Sequence, residues 1–323
     1  MEELEPVEML KEKGSNSKAA KRGHALGMLA LLLLAFAIRI FLLDDQSIWW
    51  DEGISLHLGV SSLVEILADR LNNIHPPLYF VLLKSWLSLV GVGAFSGRFL
   101  SVLASWLQVA VLLAIAQRWF SRRTGIAALL LATFSAVSVI YGQEIRVYAI
   151  LALVYLLLLA TTHELTRRFG PGGERSKRAW FTLGLVMWLG LHLHYIVIFV
   201  VAYVTIWALI VFVRQRRWVD FRRWLLVLYL VALASLPWFL ALWRNWTAVS
   251  SEAAAGTFAA DATPLPFLLK QVWVFQLTGL AGALSRPGVE IAAGVIAVLL
   301  LLLVLIRLGQ RGTRHDTAVL LAH

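Results

Sequence analysis

The sequence predicts an all-α membrane protein, a bundle of about eight apolar helices with short helices lying beside the membrane. Hydrophobic residues make up 60% of the 323 residues and charged residues only 15%, whereas soluble domains are about 45–50% apolar and about 25% charged. Apolar stretches of spanning length recur along the whole chain. The net charge of +10 lies in short segments between them, which excludes a nucleic-acid-binding module.

The apolar stretches define the predicted spans, because a spanning helix needs about 20 mainly apolar residues. They are residues 24–43, 98–117, 124–141, 145–162, 180–193, 195–213, 224–242 and 289–306. The apolar run 180–213 is too long for one helix. We divide it at His192–Tyr195, so that these polar side chains lie at a membrane surface.

Residues 77–92 are apolar but short for a span, and they contain Lys84. If they do not cross the membrane, 21 of the 29 Lys and Arg residues fall in segments on one side. Cytoplasmic loops carry such an excess of basic residues. We therefore expect an interfacial or re-entrant helix over 77–92 on the outer face, and a cytoplasmic N-terminus.

The chain divides into a tail and one membrane module. Residues 1–23 are predicted to be a disordered cytoplasmic tail, and residues 24–316 a transmembrane catalytic module. Its long outer loops are 44–97 and 243–288. Residues 317–323 read as the start of a further, truncated helix. Because the chain has no cysteine, disulfides and thiolate metal sites are excluded.

The first outer loop begins with an acidic cluster. Asp44, Asp45, Asp51 and Glu52 lie within nine residues, and two tryptophans precede Asp51. Tryptophan is enriched at the membrane–water interface, so this pair is predicted to hold Asp51 and Glu52 at headgroup depth. The apolar stripe over 54–71 predicts a helix on the membrane surface that ends before His75-Pro76-Pro77.

Two further outer corners carry ionisable groups. Glu144 and Arg146 lie between the third and fourth spans, and His192 and His194 between the fifth and sixth. Carboxylates act as general bases, and with histidine they hold divalent cations. Arginine and lysine stabilise a departing phosphate, with Arg70 and Lys84 as further candidates. The combination favours transfer of a group from a lipid phosphate.

Three motifs, in this order, resemble a known family. WWDEG (49–53), HPPLYF (75–80) and YGQEIRVYA (141–149) are similar to motifs of the protein O-mannosyltransferase-like integral-membrane glycosyltransferases, which are glycosyltransferase family 39 and its bacterial relatives. The resemblance implies a fold of the GT-C type with juxtamembrane helices in an acidic first outer loop. It also implies a polyprenyl-phosphate sugar as donor and no direct use of a nucleotide sugar.

The resemblance also implies roles for individual residues. Asp51 matches the catalytic base and Glu52 its acidic neighbour, which we also predict to be catalytic. His75 and Arg146 match groups near the donor phosphate. Glu144 and His194 match metal or acceptor contacts. A divalent cation (Mg, Mn or Zn) is a candidate cofactor, with Asp51, Glu144 and His75 as its candidate ligands.

The predicted function is transfer of a sugar from a polyprenyl-phosphate donor to a protein, lipid or glycan acceptor at the outer face of the cell (inner or plasma) membrane. Membrane lipids are further expected partners, and nucleic acid is not. One alternative is a transporter of a lipid or a polysaccharide precursor. Its ionisable groups would lie near the midplane, usually in repeated halves, and this sequence shows neither feature. The other alternative is an inactive relative that acts as a binding partner.

Overall fold

The computed structural model describes residues 5–73, 75–167 and 177–245, together with residues 288, 295, 296 and 298. Within the three long ranges the chain forms eleven helices and no strand, which confirms the predicted all-α class. The helices are α1 (Glu5–Ile40), α2 (Trp50–Val60), α3 (Leu63–Leu71), α4 (Leu78–Val90), α5 (Ala94–Trp119), α6 (Arg122–Phe134), α7 (Ala136–Gly142), α8 (Tyr148–Thr166), α9 (Lys177–Leu193), α10 (Val197–Arg214) and α11 (Trp218–Arg244).

Five of these helices are long and apolar enough to cross a membrane: α1 over Arg22–Ile40, α5, α8, α10 and α11. Helices α6 and α7 form a sixth candidate that is bent by 58° at its break. The protein is therefore a multi-pass membrane protein, but the predicted count of eight spans is not confirmed. The predicted span 180–193 falls in α9, which has only 17 residues, and 289–306 lies outside the described ranges.

The first long loop holds three short helices, α2, α3 and α4. Helix α3 begins with a capping box in which Ser62 and Glu65 each bond the other's backbone N–H. Helix α4 has 13 residues and is about 20 Å long. The hydrocarbon core of a bilayer is about 30 Å thick, so α4 is too short to cross it. The short helices predicted in this loop are therefore present, and their position beside the membrane stays a prediction.

The bundle has two polar ends. At one end, which we call the site end, lie α2–α4 and the corners 143–147 and 194–196. At the other, the basic end, Arg118 pairs with Glu164 at 2.9 Å and Arg217 donates to the carbonyls of Leu165 and Thr166. Helix α9 runs from the basic end to the site end, α10 runs back to the basic end, and α11 runs again to the site end. At the site end, Trp238 of α11 donates to the Tyr195 hydroxyl at 2.9 Å.

A buried arginine joins the broken helix pair to the rest of the bundle. The guanidinium of Arg39 donates to Ser105 Oγ at 2.7 Å, Ser138 Oγ at 2.8 Å and the carbonyl of Ala132 at 3.0 Å. The last carbonyls of a helix have no partner within it, so the break after α6 leaves the Ala132 carbonyl available. Gln143 then donates to the carbonyl of Arg39 at 3.2 Å. These bonds fix the position of the corner that follows α7.

Candidate active site

Arg146 lies at the centre of the site, in the corner between α7 and α8. Its Nη1 is 3.0 Å from Oδ2 of Asp51. Its Nη2 donates to the Tyr148 hydroxyl at 3.1 Å, and its charge lies 5.9 Å from the ring centre of Trp49. The first loop and the α7–α8 corner, separated by almost a hundred residues, therefore meet through this guanidinium.

Asp51 is the accessible carboxylate of the WWDEG motif. It lies in the first turn of α2, where the helix dipole stabilises a negative charge. A third of its side chain is exposed, against 15% for Arg146. The ion pair is therefore open enough for a substrate group to reach the carboxylate, which general-base catalysis requires.

Glu52 points the other way, into the protein. Its carboxylate forms a two-pronged pair with Arg98, at 2.9 Å to Nε and 2.7 Å to Nη2, and accepts the N–H of Ile145 at 3.0 Å. Arg98 also donates to the carbonyls of Leu43 and Gln46, each at 2.9 Å. Only 1% of the Glu52 side chain is exposed. These contacts hold the Glu52 carboxylate inside the protein, and its catalytic role stays a prediction that its burial does not favour.

Two histidines approach each other beside Arg146. The ring centres of His75 and His194 are 5.3 Å apart. Both line a cavity of about 20 Å³ together with Arg146, Tyr79 and Tyr148. Nδ1 of His75 and the hydroxyl of Tyr79 are buried and have no hydrogen-bond partner among the described residues. The described lining contains no carboxylate, so the cavity is suited to an anionic oxygen.

Burial controls the charge of these histidines. It lowers the pKa of His75 to about 4, and the positive charges of His194, Arg146 and Arg70 lower it further. Burial and the charge of Arg146 also lower the pKa of His194. Both rings are therefore neutral at pH 7. An anion in the cavity would favour their protonated forms, because an opposite charge within a few ångströms stabilises a cation.

Glu144 is the second acidic group of the corner. Burial raises its pKa to about 6, and repulsion from Glu52 adds to this effect, with the charge of Arg146 opposing it. Its Oε2 is buried and has no hydrogen-bond partner among the described residues. Glu144 is thus close to Asp51 and Arg146 but ionises less readily than an ordinary glutamate.

The family model of the dolichyl-phosphate-mannose-protein mannosyltransferases matches residues 74–243, which is more than half of the chain. The chain belongs to this family. It is a mannosyltransferase-like member of the GT-C type, and membership supports glycosyltransferase activity with a polyprenyl-phosphate sugar as donor. No curated protein matches the chain.

The matched region contains two of the three motifs, HPPLYF and YGQEIRVYA, and hence His75, Glu144, Arg146 and His194. It begins after WWDEG. The case for Asp51 therefore depends on its ion pair with Arg146 and on the motif, and not on the family match.

Two predicted phosphate ligands lie outside the cavity lining. The buried guanidinium of Arg70 pairs with Asp69 and lies 4.7 Å from the ring centre of Phe80. Lys84 contributes to lowering the pKa of Glu65, after the larger effect of the hydrogen bonds with Ser62. Both residues stay predicted phosphate ligands, and neither is among those that the structure brings to the cavity.

The predicted divalent cation, with Asp51, Glu144 and His75 as its candidate ligands, stays a prediction. Among the described residues, no three His, Cys, Asp or Glu side chains converge as metal ligands do, and this includes Asp51, Glu144 and His75. In a bound metal site, the ligand oxygens and nitrogens lie within about 2.0–2.6 Å of the metal ion. We therefore derive no catalytic step that involves a metal ion.

Sequence reasoning missed Arg98, Tyr79 and Tyr148. Arg98 begins a predicted span, and an ionisable residue in a span that lies near a cluster of acids signals a paired charge. The two tyrosines belong to the HPPLYF and YGQEIRVYA motifs themselves. Their proximity to Arg146 depends on helix packing, which the motifs do not reveal.

We expect the stability of the protein to depend on pH because of Glu144. Its pKa is about 6 in the folded protein against an ordinary value of 4.5, so folding takes up a proton between these pH values. Its contribution to stability is therefore complete below pH 4.5 and is lost as the pH rises to 6. As the pH rises from 4.5 to 6, the melting temperature of Glu144→Gln should increase relative to that of wild type.

The measurement is thermal unfolding of the purified protein in detergent at pH 4.5 to 7. Glu65→Gln is the matched control, since the pKa of Glu65 is lowered in the folded protein. The difference in melting temperature between Glu65→Gln and wild type should change little above pH 5. A Glu144→Gln difference that is constant from pH 4.5 to 7 would contradict the raised pKa.

Proposed function

We propose that the chain transfers a sugar from a polyprenyl-phosphate-linked donor to an acceptor, with Asp51 as general base. One observation carries this proposal. Arg146 contacts the accessible carboxylate of Asp51 on one side and lines the cavity of His75 and His194 on the other. A base and a phosphate-binding site are thereby held next to each other by a single guanidinium.

The reaction is a single displacement at the anomeric carbon. Asp51 takes the proton of the acceptor hydroxyl or amine, and the acceptor atom forms a bond to the anomeric carbon. The bond between that carbon and the phosphate oxygen breaks, and its electron pair leaves with the polyprenyl phosphate. The attack occurs opposite to the leaving group, so the configuration at the anomeric carbon inverts.

The leaving phosphate is neutralised by cationic side chains. Arg146 offers a planar pair of donors that fits phosphate oxygens. Each of the His75 and His194 rings has one N–H donor when neutral and gains a second donor and a positive charge when protonated. The buried hydroxyl of Tyr79 offers a further donor. Groups aimed at the position where charge develops stabilise the transition state more than the ground state.

Donor binding also prepares the base. In the free protein the Asp51 carboxylate is paired with Arg146 at 3.0 Å. A phosphate that engages this guanidinium competes for it and releases the carboxylate toward the acceptor. The donor would therefore bind before the acceptor reacts.

The basic residues between the spans define the orientation that we propose. The positive-inside rule places the basic end in the cytoplasm and the site end at the outer face of a cell membrane. The donor would then reach Arg146 from the outer leaflet.

Binding of the reaction product, polyprenyl phosphate, tests the phosphate site. We expect Arg146→Gln to weaken this binding about 10–100-fold, because a hydrogen bond to a charged group contributes about 1.5–3 kcal/mol. As the pH falls from 7.5 to 5.5, wild-type affinity should increase relative to that of His75→Gln, because the phosphate favours protonated histidine. The titration of the phosphate itself, with a second pKa of about 6, is common to both proteins.

The matched control is Arg123→Gln, which removes an exposed positive charge at the basic end. Its affinity should equal that of wild type. Equal losses in Arg146→Gln and Arg123→Gln would place the phosphate elsewhere, and an identical pH dependence in wild type and His75→Gln would exclude His75 as a group that is protonated on phosphate binding.

A further inference from the structure

A second cavity lies between α9 and α11, away from the candidate active site. It is a groove of about 580 Å³, within the range of about 300–1,000 Å³ that is typical of ligand pockets. Its walls include Trp180, Phe181, Gly184 and Leu185 of α9 and Leu226 and Leu230 of α11. Its polar side chains are Lys177 and Arg223, one from each helix.

The length of the groove matches half a membrane. Along α9 it extends from Lys177 to Trp188, eleven residues or about 17 Å of helix. One leaflet is half of a hydrocarbon core that is about 30 Å thick. A single acyl chain would therefore fill the groove from the membrane surface to the bilayer centre.

The charge lies at the end of the groove where a lipid headgroup would be. Lys177 begins α9 and Arg223 lies in the second turn of α11, both at the basic end. Half of the Arg223 side chain is exposed, and its Nη1 is 3.7 Å from Oδ1 of Asp220. Asp220 also pairs with Arg217, so its charge is shared, and the described side chains at the groove entrance carry a net positive charge.

We propose that this groove binds one anionic glycerophospholipid, with an acyl chain along the groove and the phosphate at Lys177 and Arg223. Basic residues at a membrane surface attract anionic lipids, with about 1 kcal/mol for each Lys or Arg. The candidate active site lies at the opposite end of α9, so this lipid is distinct from the sugar donor.

The sequence argues against a segment of the same chain as occupant. The remaining apolar run, 289–306, is followed by Arg307, Arg311 and Arg314. The charge of these arginines has the same sign as that of Lys177 and Arg223 at the groove, and like charges repel. An anionic headgroup has the complementary charge.

Lipid binding to the full chain, purified in detergent and stripped of lipid, tests the proposal by native mass spectrometry. Phosphatidylglycerol should bind as one tightly held molecule, at least 10-fold more tightly than phosphatidylcholine. The double variant Lys177→Gln/Arg223→Gln should lose about 30-fold in phosphatidylglycerol affinity, which is about five-fold for each charge. Gly184→Leu should weaken the binding of both lipids, because the leucine side chain enters the groove.

The matched control is Arg122→Gln/Arg123→Gln, which removes two exposed charges at the same end but outside the groove lining. It should keep the affinity of wild type. An equal loss of phosphatidylglycerol affinity in the control would show that general surface charge causes the effect. Equal affinity of wild type for both lipids would show that Lys177 and Arg223 do not bind the headgroup. Either result overturns the proposal.

A thiol in the groove reports on the occupant directly. Because the chain has no cysteine, Leu185→Cys provides a unique reactive group. We expect a maleimide to label it rapidly in lipid-free detergent and several-fold more slowly after phosphatidylglycerol is added. Slow labelling without lipid would show that the protein itself covers the groove, and would overturn the proposal.

Discussion

Asp51→Asn is expected to lower kcat for sugar transfer by about 10²–10⁴-fold, the usual contribution of a general base. Asparagine keeps the shape of the side chain but cannot accept the proton of the acceptor. Its amide also forms a weaker contact with Arg146 than the 3.0 Å ion pair of the wild type. Donor affinity should not fall, because the guanidinium of Arg146 loses the carboxylate that competes with the phosphate for it.

The experiment compares initial rates in membranes with equal amounts of each variant. Asp45→Asn is the matched control, since it changes an exposed acid of the same loop and should keep the wild-type rate. Transfer that survives in Asp51→Asn would contradict the assignment and make Glu144 the next candidate base. A loss of rate in both variants would point to the charge of the loop instead.

Glu52→Gln is expected to lower the free energy of unfolding by about 3–5 kcal/mol, the usual cost of breaking a buried ion pair by removal of one partner. The change leaves the buried guanidinium of Arg98 without a counter-ion. It also weakens the contacts through which Arg98 holds the carbonyls of Leu43 and Gln46. The loop that carries Asp51 would thereby lose its anchor.

Unfolding by denaturant in detergent measures this loss. Arg118→Gln is the control, because its ion pair with Glu164 is largely exposed and such pairs contribute about 0–1 kcal/mol. The double variant Glu52→Leu/Arg98→Leu should recover part of the stability, as replacement of a buried pair by apolar residues often does. If Glu52→Gln kept wild-type stability but lost transfer, Glu52 would be catalytic and not a positioning residue.

The sequence predicted the all-α class and the apolar helices α5, α8, α10 and α11. Residues 5–23, predicted to belong to a disordered tail, instead form the first part of α1, since Glu, Met, Leu and Lys have high helix propensity. Apolar length identifies a span locally, and α4 is short for the same reason that residues 77–92 fail as a span. The break between α6 and α7 was not predictable in this way. It occurs at Ser135, whereas sharp kinks usually follow proline or glycine.

Only the structure shows that Asp51 faces the site and Glu52 the interior of the protein. Neighbouring residues on a helix point about 100° apart, so one faces the interior and the other the site, but the sequence does not say which. That choice depends on Arg98, which lies 46 residues away. The approach of His75 to His194 likewise follows from the packing of α4 against α9, and no local pattern encodes it.

The central claim is inverting sugar transfer from a polyprenyl-phosphate donor, and the most direct test is the product itself. Purified full chain would be given a panel of polyprenyl-phosphate sugars and, separately, the corresponding nucleotide sugars, with the anomeric configuration of the product determined by NMR. We predict transfer from a polyprenyl-phosphate sugar only, with a configuration opposite to that of the donor. Transfer from nucleotide sugars, or a product that retains the donor configuration, would contradict the account.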